Sequence, residues 1–207
     1  MIQKISHVIM NIFFEMSTYG ERAKNIYNPQ DLTEHYRGEL VYSTLDGVYI
    51  AANYSDISYT IEAYKYRSDR QHVGEYVDLL ARIVEKYDLL SHDDIALVSV
   101  PMHWSRYMIR GFNHIDLLTS GLSYRLGIHK IKPIRAYWTH RQSKLSKMKR
   151  MKNREHAFVL RSGILPPKTV ILIDDIISTG STANSCAKIL KSAGVEKVYG
   201  VFIASNQ

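Results

Sequence analysis

An α/β fold, an open and mainly parallel sheet with helices on its faces, is predicted by three features of this 207-residue sequence. Three short apolar runs, IALVSV at 95–100, TVILI at 169–173 and KVYGVFIA at 197–204, read as strands buried on both faces. Other stretches place apolar residues at the spacing of amphipathic helices. From residue 95 onward the two kinds of segment alternate, the order that builds parallel strands joined by helical crossovers.

Each element has its own warrant. In MIQKISHVIMNIFFEM, Ile2, Ile5, Val8, Ile9, Ile12, Phe13 and Met16 recur at helical spacing and predict a docked amphipathic helix. Lys4, His7 and Glu15 interrupt it, so no membrane span of roughly 20 apolar residues is expected there. ELVYSTLDGVYIAAN, 39–53, reads as a hairpin around Asp46-Gly47, a pair suited to the positive φ angles of a tight turn. From Arg70 to Leu90, Val73, Tyr76, Val77, Leu80, Ile83, Val84 and Tyr87 share one helical face. A strand at 95–100 closes at Pro101, a helix covers Gly111 to Leu126, and a strand covers 131–138. Residues 139–156 lack an apolar face and are read as a mobile loop. After the strand at 169–173 comes a helix over 180–193, stopped by Gly194, and then the last strand. The first 65 residues break the alternating rhythm, so 1–65 is assigned to an N-terminal helix and β-hairpin hood and 66–207 to the α/β domain.

Composition narrows the function. With 45% apolar and 23% charged residues the chain is an ordinary globular sequence, not a disordered one. Cys186 is the single cysteine, which excludes an intramolecular disulfide and a cysteine-cluster zinc site and fits a reducing, cytoplasmic setting. The net charge of +7 is local: between Lys130 and Arg154 lie ten basic residues and no acid, while the rest of the chain has more acids than bases. That segment, 130–154, calls for a local anionic partner.

The chemistry concentrates in ILIDDIISTGSTANS, 171–185. Ligands of open α/β sheets sit beyond the carboxyl ends of the strands, where Asp174 and Asp175 fall. Ser178, Thr179, Gly180, Ser181 and Thr182 then lead into a helix whose first N–H groups have no partner inside the helix and can face a phosphate. The hydroxyls donate further hydrogen bonds, and the carboxylates suit sugar hydroxyls or Mg²⁺. A phosphate site beside an acid pair fits a sugar phosphate with vicinal hydroxyls. The GxxxxGK[ST] loop of P-loop nucleotidases is absent.

This stretch resembles the phosphoribosyl-pyrophosphate signature of the type I phosphoribosyltransferases. Val100-Pro101-Met102-His103, Arg106 and Arg110-Gly111-Phe112-Asn113-His114 resemble the ComF group of competence-associated phosphoribosyltransferase-like proteins. Arg141-Gln142, Leu145, Arg150, Asn153 and Ala157-Phe158 are similar to that group's basic loop, and Tyr64-Lys65-Tyr66 with Asp69-Arg70 to its segment ahead of the long helix. Many members carry an N-terminal four-cysteine zinc element. This sequence has none, and the hairpin and first helix would stand in its place.

The resemblance implies that phosphoribosyl pyrophosphate, or a ribose 5-phosphate nucleotide, binds with Mg²⁺ held at Asp174 and Asp175. Residues 178–182 would cradle the 5′-phosphate, while the turn at Met102–Trp104, including His103, would approach the pyrophosphate with Arg106 or Arg110 nearby. Arg110 and Arg141 join the aspartates as catalytic candidates, and Lys147 and Arg150 join the ligand-binding set. Successive strand residues face opposite sides, so the two aspartates are not expected to play equal parts. Two function classes stay open: an enzyme displacing pyrophosphate from ribose C1 with an amine or base, and a ligand-gated module handling single-stranded DNA. A homodimer is allowed under either. The other histidines, His114 among them, are read as surface or packing residues.

Overall fold

The strands of the central sheet run in the order β1-β7-β6-β2-β3, every neighbouring pair parallel. The computed structural model describes residues 44–66, 72–102, 104–136 and 158–205. In chain order these form β1 (Gly47–Asn53), α1 (Tyr54–Tyr66), α2 (Val73–Lys86), β2 (Ile95–Ser99), α3 (Trp104–Arg110) and α4 (His114–Leu126). There follow β3 (Lys130–Ile131), β4 (Ile134–Ala136), β5 (Phe158–Leu160), β6 (Thr169–Ile177), α5 (Ser181–Ser192) and β7 (Lys197–Ser205). The N-terminal helix, the first strand of the hairpin, His103 and the loop 139–156 lie outside the described residues.

The open parallel α/β sheet is therefore as the alternation of apolar runs implied. Its core divides into two layers. On one face Ile57, Ile61 and Tyr64 of α1, the apolar stripe of α2, and Leu118 and Leu122 of α4 pack on Leu97, Ile171, Ile173, Val201 and Ile203. On the other, Ala183, Cys186, Ala187 and Leu190 of α5 pack on Val98, Val170, Leu172, Val198 and Phe202. Over Val170–Ile173 odd and even positions of β6 thus feed opposite layers, as a pleat of period two requires. Gly121 of α4 lets α2 approach closely, since a Cβ there would stand 2.7 Å from Val77 Cγ2.

Four details differ from the sequence reading, each for a local reason. The strand after Asp46-Gly47 is β1, the edge strand beside β7, and Asp46 ties itself to that neighbour. Its N–H donates to Val198 O at 2.8 Å, its Oδ2 accepts from Val198 N at 2.7 Å, and Lys191 lies 2.7 Å from the same carboxylate. The helix expected from Gly111 starts at His114, because Gly111 at φ 74° ends α3 and Asn113 caps α4, accepting from Asp116 N at 3.1 Å. The strand expected over 131–138 splits at Pro133, which has no N–H to donate. Lys130–Ile131 stays with β2, and Ile134–Ala136 forms an antiparallel ribbon with β5. Finally, β6 runs past residue 173 to Ile177, because β7 pairs with it as far as Ser205.

Candidate functional site

The acid pair lies inside the last turn of pleat of a central strand. Asp174 pairs in register with Phe202, and Ile176 with Ala204, so the backbone around the carboxylates is held by β7. The two side chains consequently point to opposite faces and meet different neighbours.

Asp175 faces α1 and α4. Its Oδ2 lies 2.6 Å from Lys65 Nζ and 2.7 Å from His114 Nε2, and its Oδ1 accepts from Ile176 N at 2.6 Å. The Lys65 and Asp175 side chains are 12% and 11% exposed and His114 is 3% exposed, so the cluster is nearly dry. Arg110 Nη1 lies 3.1 Å from the His114 ring nitrogens, and the Tyr64 hydroxyl donates to the His114 carbonyl. Burial, the largest influence, lowers the His114 pKa, and the Arg110 and Lys65 charges add to it against the opposing effect of Asp175. A neutral ring then donates from Nε2 to Asp175 and accepts from Arg110 at Nδ1. Burial alone would raise the Asp175 pKa, but the His114 hydrogen bond and the Lys65 charge outweigh it and bring it down to about 2.

Asp174 faces α5. It is half-buried, and its Oδ1 accepts from Asp175 N at 2.9 Å. Its pKa is pushed up to about 8, first by burial and then by the Asp175 charge, with Lys65 and Arg106 pulling the other way. The pair is thus differentiated: one carboxylate is committed to an internal ion pair, and the other stands ready to gain a cation or to donate a proton.

Beyond β6 the chain turns through Ser178 and Thr179, both exposed, to Gly180 at φ 67°, a left-handed conformation that glycine adopts without strain. The first bond of α5 closes from Asn184 N to Gly180 O at 2.9 Å, leaving the Ser181, Thr182 and Ala183 N–H groups unpaired within the helix. Thr179 Oγ1 donates to Ser181 Oγ at 3.2 Å, so the hydroxyls line one rim. Carboxylate, hydroxyls and helix N-terminus adjoin, an arrangement that can hold phosphate and sugar hydroxyls at once.

Of the other sequence candidates, Arg106 and Arg110 sit on α3, the first exposed and within electrostatic reach of Asp174, the second against His114. Met102 is half-buried just ahead of α3. His103, Arg141, Lys147 and Arg150 lie outside the described residues. Sequence reasoning missed Lys65 and His114 as partners of Asp175. Their separation of 49 positions from each other and their distance from the motif hide them from any local pattern; only the Tyr64-Lys65-Tyr66 and Asn113-His114 matches pointed to these positions. Among the described residues no group of three or more His, Cys, Asp or Glu side chains could hold a metal, and no helix is long and apolar enough to cross a membrane.

No family model matches the chain. Competence protein F of Haemophilus influenzae is 38% identical over 107 residues, 50% of this chain and 47% of the relative. The DNA utilization protein YhgH of Salmonella typhi is 36% identical over 137 residues, 60% of this chain and 58% of the relative. The chain spans about half the length of the curated relatives it matches. Among solved structures, an adenine phosphoribosyltransferase aligns with a TM-score of 0.44 at 15% identity, over 68% of this chain and 73% of that one. That likeness is too loose to carry weight beside the strand order itself. In the motif at 170–182, in the segment 100–114 and in the relatives named above, this chain is similar to the ComF-like group of type I phosphoribosyltransferase-like proteins.

Proposed function

We propose that the chain binds phosphoribosyl pyrophosphate with Mg²⁺ at the end of β6 and transfers its phosphoribose to an amine or base, releasing pyrophosphate. The observation that carries this reading is the juxtaposition of Asp174 with the Ser178–Thr182 turn and the open N-terminus of α5. The 5′-phosphate lies against the N–H groups of Ser181, Thr182 and Ala183, with Ser178 and Thr179 donating from the rim. The ribose hydroxyls face Asp174. Asp175, bound to Lys65 and His114, serves to hold the strand end and α1 in place and does not reach the sugar. Arg106 stands on the same side and counters the charge of the departing pyrophosphate.

The donor set fits a metal that arrives on the ligand. One free carboxylate is too little for a resident cation but enough for Mg²⁺ that keeps water and diphosphate oxygens as its other ligands. When bound, the ion would neutralise pyrophosphate charge as the C1–O bond breaks. Thr179→Glu/Thr182→Glu tests the reading by calorimetric titration with phosphoribosyl pyrophosphate and Mg²⁺. Both side chains are exposed, so the fold should survive while binding is lost; unchanged affinity refutes the site.

A second reading has its own support. The relatives are named for competence and DNA utilization, and ten basic residues without an acid occupy 130–154. In that reading the chain is a ligand-gated module on single-stranded DNA. Its mark is an affinity that falls with salt at a log–log slope of about −0.7 per phosphate contact, flattened by charge reversal at Lys144, Lys147 and Lys149.

A further inference from the structure

A separate cleft of about 460 Å³ opens at the edge of the sheet, between α3, the start of α4 and the β4–β5 ribbon. No residue of 174–182 lines it. One wall belongs to α3, a helix with no buried residue: Trp104 is 52% exposed, Tyr107 50% and Met108 71%. Two aromatic rings and a thioether left half open to water beside a concave surface are a poor arrangement for a helix with nothing to bind.

The opposite side is cationic. Lys132, Arg135 and Arg161 line the cleft against a single carboxylate, Asp116. That carboxylate is already taken, with Lys130 at 3.0 Å and Lys132 at 2.9 Å. Arg135 and Arg161 are exposed and have no acidic partner among the described residues. Asn113 also lines the cleft; its Oδ1 caps α4, which leaves its amide N–H groups to donate. A purely apolar guest would leave two guanidiniums unanswered, and a bare phosphate would leave the rings unused. The volume is within the roughly 300–1,000 Å³ of small-molecule sites.

We propose that this cleft binds a nucleotide unit, an aromatic ring carrying an anionic group, with the ring on Trp104 and Tyr107 and the phosphate on Arg135 and Arg161. The cleft takes in none of residues 174–182 that would hold the 5′-phosphate and ribose, although Met102 and Trp104 on its wall belong to the turn expected to approach the pyrophosphate, so the two sites adjoin. The same chemistry is offered by a free mononucleotide and by a nucleotide within a single strand.

Trp104 and Trp138 are the chain's two tryptophans, so Trp138→Phe leaves Trp104 as the sole reporter. In that background AMP should quench Trp104 fluorescence saturably. Arg135→Ala/Arg161→Ala and Tyr107→Ala, all at exposed positions, should each weaken AMP about tenfold. Adenosine should bind about tenfold more weakly than AMP, and saturating ribose 5-phosphate should leave the AMP curve in place. Thr179→Glu/Thr182→Glu, which destroys the β6 site, should keep full AMP binding. An oligothymidylate that binds more tightly than the mononucleotide identifies a strand as the source; equal or weaker binding identifies the free nucleotide. The proposal is overturned if AMP gives no saturable quench, if the arginine variant binds normally, or if ribose 5-phosphate displaces AMP.

Discussion

Replacing Lys65 by methionine should destabilise the protein far more than the loss of an ordinary ion pair, because the Lys65–Asp175 contact is nearly dry. At 12% and 11% exposure the side chains lie outside the regime in which salt bridges contribute about 0–1 kcal/mol. Removing one partner of a buried pair strands the other charge, at roughly 3–5 kcal/mol. His114 continues to donate to Asp175 at 2.7 Å, which places Lys65→Met at the lower end, about 3 kcal/mol. For a chain of this length that corresponds to a fall in Tm of about 6–12 °C. Thermal unfolding followed by circular dichroism at pH 7 measures it. The double variant Lys65→Met/Asp175→Asn removes the stranded charge and should recover at least half of the loss, which a non-additive cycle would register. A single-variant shift below about 2 °C, or a double variant as unstable as the sum of its parts, refutes the argument that Asp175 is a committed internal ion.

Asp174 should behave in the opposite sense. Its pKa is raised from 3.8 to about 8, so between those values the folded chain holds a proton that the unfolded chain has lost, and stability should decline as pH rises through that window. Asp174→Asn should remove this decline, seen as a flatter Tm profile from pH 5 to 9. The same proton must leave before the carboxylate can take a cation, so affinity of the wild type for phosphoribosyl pyrophosphate with Mg²⁺ should climb towards pH 8–9. Gly180→Ala forces a side chain into φ 67° and should cost about 1–2 kcal/mol by urea unfolding, with a loss of ligand affinity that an unstrained turn would not show.

The sheet was legible because its strands are continuous apolar runs and its helices carry clear stripes, signals that depend only on neighbours in sequence. The turn at 178–182 was legible for the same reason: acids, hydroxyls and Gly180 are consecutive. What the sequence hid was long-range. Nothing near Lys65 or His114 announces that Asp175 lies between them, since the contacts span 110 and 61 positions. The exposed face of α3 was equally hidden, because the local pattern of Trp104, Tyr107 and Met108 does not separate an exposed apolar side chain from a buried one. The anchoring of Asp46 to Val198 was hidden in the same way, since the two are 152 positions apart.

The central claim, that the end of β6 is a phosphoribosyl pyrophosphate site with Asp174 as its working carboxylate, is tested most directly by calorimetric titration of that ligand with Mg²⁺ into the wild type and Asp174→Asn. The expected result is saturable one-to-one binding by the wild type that depends on Mg²⁺ and is lost in the variant. Pyrophosphate release on adding an amine or base would then establish transfer. Wild-type binding that is absent, or that is indifferent both to Mg²⁺ and to Asp174→Asn, contradicts the account.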